Sequence, residues 1–459
     1  MTELLEILDR VVAQAQPGEG VEAFGVDETD TTINAYAGQV ESLSSARTRG
    51  VGIRVVDAHR VGYAYSADLT EPALADALAE ARANAAVGTP DDANVLPEGK
   101  GSRTPAGSDQ SGLLGGMPEL YDPRFTEATI EQKVQIALRL EDAARAGDQI
   151  RGVEAARYGD ADRTAAIAST TGVRGSYRRA DAYVFAEALA EAEGSTTSAY
   201  GLAVARTPAG LDVEAAAGEA AERAARLLGG RKPPSARLPI ILDPFTTAAL
   251  LGVFAGGLVA EAVQKGRSLF ADKVGDRLGG DHLTLVDDGR LLDGLAAAPW
   301  DGEGVPTGRT PLIEAGVLTG FLHNTHSAAR EGVASTGNAS RAGFKSPPGV
   351  GPTNLFLQPG PDRPETLLTR AGIAFYCQQI MGVHSGANPI TGDVSVGAAG
   401  LMVRDGAFAE PVREASIAGS IPLMLAGIAA VGADLRFLPM GGGMGGTTLL
   451  VEGMTLSGA

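Results

Sequence analysis

The chain has 459 residues, of which 44% are apolar and 20% are charged, an ordinary composition for a folded globular protein. Its formal net charge of −18 repels phosphate backbones and argues against nucleic-acid binding. The 62 glycines indicate many turns. The single cysteine, Cys377, cannot form an internal disulfide, so we expect a reducing, cytoplasmic location.

Residues 1–90 are typical of a small α+β domain. Apolar residues at helical spacing predict a helix over 2–15, and a second helix should run from Thr70 to about Ala86. Between them, period-two alternation predicts strands, at 21–26, 31–36, 51–56 and 61–66. Residues 91–125 are rich in Gly, Pro, Ser and Asp, which predicts a connection without regular structure.

A second α+β domain is predicted over 126–230, and a glycine-rich domain over 235–459, with Pro233 and Pro234 between them. The expected helices are 127–146, 213–228 and 246–263, and the expected strands are 152–158, 164–169, 182–193, 197–206 and 239–242. The predicted fold class is therefore α+β. Two N-terminal mixed α/β domains precede a glycine-rich C-terminal domain with a curved, largely antiparallel sheet.

Two uncharged runs, 244–260 and 415–433, approach the length of a membrane span. Neither has the basic flank expected on the cytoplasmic side of a membrane helix. We therefore expect buried helices there and no membrane partner.

The sequence lacks the common hydrolase motifs. None of the five histidines is followed by Glu, so no HExxH zinc helix exists, and no Gly-x-Ser-x-Gly elbow occurs. His323 and His326 stand three residues apart, but no third metal ligand is evident. Cys377 follows an apolar run, which favours a buried structural thiol over a nucleophile.

Two glycine-rich segments approach nucleotide-binding motifs without matching them. Residues 441–446 contain GxGxxG, but a strand pattern follows where a dinucleotide site needs a helix. Residues 337–345 nearly match a P-loop, and Phe344 interrupts the required Gly-Lys pair. We expect no nucleotide at either segment.

Two further stretches, 324–351 and 381–400, combine glycine with small polar residues. Glycine lets an extended ligand approach the backbone closely, and hydroxyl groups add adaptable hydrogen-bond donors. The same composition suits tight turns around a curved sheet. The residues alone leave both interpretations open.

These stretches closely resemble the TldD/PmbA family, once labelled modulator of DNA gyrase. The resemblance is carried by Asn324-Thr325-x-Ser327-Ala328, Ser335-Thr336-Gly337, Gly392-Asp393-x-Ser395-x-Gly397-Ala398-x-Gly400 and Pro411-Val412-x-Glu414-x-Ser416-Ile417-Ala418-Gly419. It extends over nearly the whole chain.

The resemblance implies one subunit of a heterodimeric zinc metalloprotease. TldD-type chains of the family carry an HExxxH helix and a later cysteine ligand. Here the corresponding helix, 256–266, has no histidine, and the glycine run 441–446 stands where the cysteine would lie. The chain therefore resembles the PmbA/TldE-type subunit, for which we expect no catalytic residue and no metal ligand. Zinc is expected in a TldD-type partner.

Substrates in this family are unfolded or extended peptides, including leader peptides and antitoxins. By this resemblance we expect such a peptide to add a strand to a sheet edge. The residues expected to line its cleft are Asn324, Thr325, Ser335, Thr336, Gly337, His384, Asp393 and Ser395.

Three alternatives stay open at this point. The chain could be a standalone homodimer that binds peptides, a subunit recruited to natural-product biosynthesis, or an enzyme with an unconventional site built from His323, His326 and Glu331. The sequence identifies neither substrate nor partner, and it leaves open whether the isolated chain forms a homodimer.

Overall fold

A computed structural model describes residues 2–99, 115–439 and 443–458. The N-terminal half contains α1 (Thr2–Val12), β1 (Gly20–Tyr36), β2 (Gln39–Asp57), β3 (Arg60–Ser66), α2 (Glu71–Val87), α3 (Ile130–Arg145), β4 (Ile150–Ser169), β5 (Arg174–Ala192), β6 (Ser195–Ala205) and α4 (Val213–Ala225). Short 3₁₀ turns occur at Pro118–Leu120, Pro123–Glu127 and Pro208–Gly210. Of the predicted connection 91–125, residues 100–114 lie outside the described residues.

The six strands of this half form a single antiparallel sheet, here called the N-terminal sheet, in the order β3-β2-β1-β4-β5-β6. Strand β1 pairs with β4 from Glu22–Ser169 to Ala35–Ala156. Residues 1–90 and 126–230 therefore contribute three strands each to one continuous sheet.

The strands are longer than predicted. Residues 21–26 and 31–36 belong to the single strand β1, and 152–158 and 164–169 both belong to β4. The two predicted strands left out the polar run 27–30 of β1. That run stays in the strand because both neighbouring strands carry arginines opposite it: Arg49 lies opposite Asp27, and Arg163 lies opposite Glu28. Opposite charges on directly facing residues stabilise such pairs.

The two faces of the N-terminal sheet have different partners. Alternate residues such as Ala23 and Ile33 of β1 face the helices: α1 and α2 cover one half of that face, and α3 and α4 cover the other. On the opposite face, Phe24 and Val26 pack against Trp300 and Phe344 of the C-terminal half. The sheet thus forms the middle layer between the four helices and the C-terminal domain.

The C-terminal domain begins after Pro234. Its elements are β7 (Ala236–Arg237), β8 (Ile240–Leu242), α5 (Pro244–Ala255), a 3₁₀ turn (Gly256–Leu258), α6 (Ala260–Gln264), β9 (Leu285–Asp288), β10 (Arg309–Glu314), β11 (Val317–Leu318), α7 (Thr325–Glu331), β12 (Ala339–Ser340), β13 (Gly349–Val350), β14 (Leu355–Leu357), α8 (Pro364–Ala371), β15 (Ala374–Met381), α9 (Val383–Gly386), β16 (Asp393–Arg404), β17 (Ala407–Ser420), α10 (Ile421–Gly427), β18 (Ile428–Val431), β19 (Arg436–Phe437), β20 (Met444–Gly446), β21 (Leu449–Val451) and β22 (Thr455–Ser457).

Two large sheets enclose the core of this domain. An eight-stranded sheet has the order β18-β21-β8-β15-β16-β17-β22-β7, and a six-stranded sheet has the order β11-β10-β9-β14-β20-β19. Each contains one parallel pair, β8–β15 and β14–β20, and its other pairs are antiparallel. The predicted α+β class with largely antiparallel sheets is confirmed.

The predictions for the two uncharged runs were partly wrong. In the first, helix α5 ends at Ala255, because Gly256 and Gly257 follow and glycine is a poor helix former. The second run is mostly strand: it completes β17, forms only the short helix α10 and continues into β18. Its first part is held between β16 and β22. Among the described residues, no helix combines the length and apolar character needed to cross a bilayer.

Candidate functional site

The residues expected to line the cleft separate into two groups. The first group, Asn324, Thr325, Ser335, Thr336 and Gly337, lies at the start of α7 and in the loop that follows it. The second group, His384, Asp393 and Ser395, lies on α9 and at the start of β16.

Asn324 is the N-cap of α7. Its Oδ1 accepts a hydrogen bond from the backbone N–H of Ser327 at 2.9 Å, and Ser327 Oγ accepts one from the N–H of Asn324 at 3.2 Å. Both side chains are buried. This reciprocal pair satisfies two helix N–H groups that would otherwise lack partners. The Asn324 side chain therefore fixes the beginning of the helix.

Ser335, Thr336 and Gly337 fold back onto the backbone of His323. Thr336 Oγ1 accepts a hydrogen bond from the backbone N–H of His323 at 2.8 Å and donates one to Asn338 Oδ1 at 2.7 Å. Ser335 Oγ donates to the His323 carbonyl at 3.1 Å. Gly337 has a φ of 76°, and a Cβ there would lie 2.4 Å from the Pro306 carbonyl oxygen. The polar atoms of this loop are engaged within the protein.

A buried ionic cluster connects this region to the N-terminal sheet. Arg54 of β2 donates to Glu22 and to Glu303, with both N–O distances 2.6 Å, and Glu22 also pairs with Arg341. Glu303 Oε2 accepts the backbone N–H of Thr325 at 2.8 Å. Burial alone would raise the pKa of Glu303, but Arg54 and Thr325 hold it below its usual value. The cluster fixes the C-terminal domain against the sheet.

Sequence analysis did not identify this cluster. Glu22 and Arg54 lie opposite each other in the register of β1 and β2, but that register is not visible in the sequence. Glu303 lies in an irregular segment 249 residues from Arg54. The one usable signal was a single charged residue in each of two otherwise apolar segments, Glu22 in 21–26 and Arg54 in 51–56.

The second group lies on the surface. His384, Asp393 and Ser395 are all exposed. Along β16 the exposed Asp393 and Ser395 alternate with the buried Val394 and Val396. Thr391 Oγ1 donates to Asp393 at 2.8 Å. Strand β16 is hydrogen-bonded to β17 from Asp393 onward, but to β15 only from Gly397 onward. Beside the start of β16, the segment after α9 makes a single bridge, from Ala387 to Val394. A ligand at this end of the strand would meet the exposed side chains of Asp393 and Ser395.

The histidines of the unconventional site have separate partners. His323 Nε2 lies 3.8 Å from a Glu331 oxygen, whereas His326 Nε2 lies 3.3 Å from Asp91. Burial lowers the pKa of His323, although the nearby Glu331 opposes this shift. Across residues 2–99, 115–439 and 443–458, no three His, Cys, Asp or Glu side chains cluster so that they could hold a metal ion.

The segment expected to correspond to the zinc helix of TldD-type chains, 256–266, contains the 3₁₀ turn and α6 and directly follows α5. Gln264 of α6 donates to the Ser327 carbonyl at 2.8 Å and to Glu331 at 2.9 Å, so α6 packs on α7. Of the GxGxxG run, residues 441 and 442 lie outside the described residues. The last glycine belongs to β20, and a Cβ on Gly446 would lie only 1.7 Å from the Pro244 carbonyl oxygen. This glycine permits close packing of β20 against α5.

Cys377 lies on β15 and is fully buried. Burial raises the pKa of its thiol well above the usual value, and the nearby Asp243 adds to the effect. A thiol with these properties stays protonated at neutral pH and is a poor nucleophile. The prediction of a buried thiol is confirmed.

Comparison with known proteins defines the class. Models of the PmbA/TldA metallopeptidase domain 1, central domain and C-terminal domain match residues 21–85, 123–228 and 235–458. The chain belongs to the PmbA/TldD metallopeptidase family. The metalloprotease PmbA of Escherichia coli O157:H7 is 27% identical over 420 residues, which cover 91% of this chain and 88% of that protein.

Two solved structures share the fold over the whole chain. A protein of Thermotoga maritima described as a modulator of a DNA gyrase has a TM-score of 0.88 and 27% identity, with full coverage of both chains. TldE of Thermococcus kodakarensis has a TM-score of 0.85 and 21% identity, also with full coverage. The second likeness establishes the fold alone.

Proposed function

We propose that this chain is the non-catalytic, PmbA/TldE-type subunit of a heterodimeric zinc metalloprotease of the cytoplasm. The proposal rests on which metal-ligating side chains the C-terminal domain offers. The segment 256–266 contains no histidine, and the described residues bring no three metal-ligating side chains together. Family membership calls for a metallopeptidase, so a TldD-type HExxxH partner would supply the zinc.

We further propose that the substrate is an unfolded or extended peptide. The exposed side chains of His384, Asp393 and Ser395 support a contact on the outer face of β16. The first group, around Thr336, would act indirectly, because its hydrogen bonds shape the loop after α7. In this proposal the chain completes the cleft, and the partner cleaves the peptide bond.

The proposal is tested by a peptidase assay on an unstructured peptide with zinc present. Each subunit is measured alone, and the two are measured together. We expect cleavage only by the mixture, with complete loss after addition of a chelator. Cleavage by this chain alone would contradict the proposal. Peptide binding by a homodimer of this chain, without any association with the partner, would favour the standalone binding protein.

Surface variants test the substrate contact. Ser395→Arg and His384→Ala should lower cleavage by the mixture, because they change exposed groups on the proposed contact face without removing core packing. Glu365→Arg is the matched control, since Glu365 is also exposed but lies on α8. Size-exclusion chromatography of each mixture separates loss of the partner from loss of the substrate. Unchanged cleavage by both variants would remove β16 from the substrate site.

A further inference from the structure

A cavity of about 400 Å³ lies between the N-terminal sheet and the C-terminal domain. The sheet contributes Phe24 and Glu28 of β1, Arg163 of β4 and Tyr177 of β5. The C-terminal domain closes it with segments 295–302, 339–341 and 351–353. Its volume falls within the range that binds small molecules.

Three arginines line the cavity, and two of them are already paired. Arg179 lies 2.6 Å from Asp181, and Arg341 forms an ion pair with Glu22. Arg163 is different: its Nε is buried and finds no hydrogen-bond partner among the described residues. A buried donor without a partner is costly, so among the described residues Arg163 is the cavity arginine whose Nε can still donate to a ligand, although Glu28 on the facing strand attracts its charge.

Trp300 supplies a second free donor. It is only 2% exposed, and its ring packs edge-on against Tyr177 with centroids 4.8 Å apart. Its indole Nε1 is buried and has no hydrogen-bond partner within the described ranges. A buried indole N–H usually finds a partner, so this one indicates an acceptor that the described residues do not provide.

Acidic groups restrict the kind of ligand. Glu28 lies opposite Arg163 in the β1–β4 register, and Asp301 also lines the cavity. The Asp301 carboxylate already accepts three backbone N–H groups, from Glu303, Val305 and Ala339. Glu28 would repel a multiply charged anion, but it would attract a ligand that carries a cation besides its carboxylate.

We propose that this cavity binds a short peptide of about two residues through its free C-terminal carboxylate. The carboxylate accepts hydrogen bonds from Arg163 and from the indole N–H of Trp300, and the amino end of the peptide lies toward Glu28. The side chains of Phe24 and Tyr177 cover the apolar part of the ligand. The inference concerns binding by this chain alone and does not rest on the proposed accessory role.

The sequence contains one tryptophan, so its fluorescence reports on the cavity directly. The purified full chain is titrated with the dipeptide Ala-Ala, with its C-terminal amide and with inorganic phosphate. We expect a saturable change with Ala-Ala and binding weaker by about tenfold or more for the amide, since a charge-assisted hydrogen bond is lost. Phosphate binding as tight as that of Ala-Ala would overturn the choice of ligand.

Two arginine variants make the test specific. Arg163→Gln should weaken Ala-Ala binding by about tenfold or more, because it removes the charged donor. Arg157→Gln is the matched control on the same strand: Arg157 is exposed and does not line the cavity. Trp300→Phe, followed by calorimetry, tests the indole N–H, and circular dichroism checks the fold of each variant. No saturable signal with Ala-Ala, or equal affinity of Arg163→Gln and the unaltered chain, would overturn the inference.

Discussion

The buried position of Arg54 yields a strong prediction about stability. Its guanidinium lies 2.6 Å from both Glu22 and Glu303, and these carboxylates are 1% and 0% exposed. Arg54→Met removes the cation but leaves both carboxylates buried. Breaking a buried ion pair from one side costs roughly 3–5 kcal/mol, so we expect the free energy of unfolding to fall by about that amount.

The measurement is urea unfolding at pH 7, followed by fluorescence and by circular dichroism so that separate domain transitions are detected. Arg47→Met is the matched control. Arg47 also makes two hydrogen bonds to one carboxylate, Asp27, but its side chain is 62% exposed. Exposed pairs contribute at most about 1 kcal/mol. A loss for Arg54→Met no larger than that for Arg47→Met would refute the reasoning.

Acidification provides an independent check on the cause. Without Arg54, burial should raise the pKa of Glu303 in the folded protein above its unfolded value of about 4.3. A raised folded pKa gives a contribution that is favourable at low pH and lost as pH rises through that pKa. The deficit of Arg54→Met should therefore be largest at pH 7 and shrink toward pH 5. A deficit independent of pH would indicate lost packing instead.

Three further outcomes are expected. Thr336→Val should lower the free energy of unfolding by about 1–3 kcal/mol in urea, because it leaves the buried N–H of His323 without its acceptor. Thr247→Val is the control and should cost nothing, since Thr247 Oγ1 is buried without a partner in the described chain. Equal losses for the two variants would contradict this. Burial raises the pKa of Asp287 to about 6, so the contribution of Asp287 to stability should be full below pH 4 and be lost as pH rises through 6. The free energy of unfolding of the unaltered chain, relative to that of Asp287→Asn, should therefore fall by up to about 3 kcal/mol from pH 4 to 7. A difference between the two chains that does not change with pH would be inconsistent with the raised pKa. Cys377 should not react with a thiol reagent in the native protein and should react fully in guanidinium, and rapid native labelling would show that the thiol is accessible.

Much of the fold could be predicted from local sequence patterns. The apolar stripe Leu4, Leu5, Leu8 and Val11 is buried on α1, as its spacing predicted. Strand length could not be predicted in the same way. Whether the polar run 27–30 continues a strand depends on arginines that other strands place opposite it, and pairing partners far apart in the chain leave no local signal.

The detail of the candidate site could not be predicted from the sequence. Ser335 and Thr336 contact the His323 backbone near the start of α7, whereas His384, Asp393 and Ser395 lie apart from them on α9 and β16. That these residues together line a peptide cleft stays a prediction. Small polar residues near glycine have the same composition whether they bind a ligand or satisfy the backbone, so sequence could not separate these roles. Arg163 and Trp300 were missed because a side-chain donor without a partner among residues 2–99, 115–439 and 443–458 can be recognised only in the folded chain, where two domains enclose a cavity.

Native mass spectrometry tests the accessory role directly, on this chain, on a TldD-type HExxxH partner from the same genome, and on their mixture, each prepared with zinc. We expect a one-to-one complex whose zinc stays with the partner when the subunits are separated in the gas phase. We also expect that this chain alone binds no stoichiometric zinc. Stoichiometric zinc on this chain, or failure of the two chains to associate, would show that the proposed accessory role is wrong.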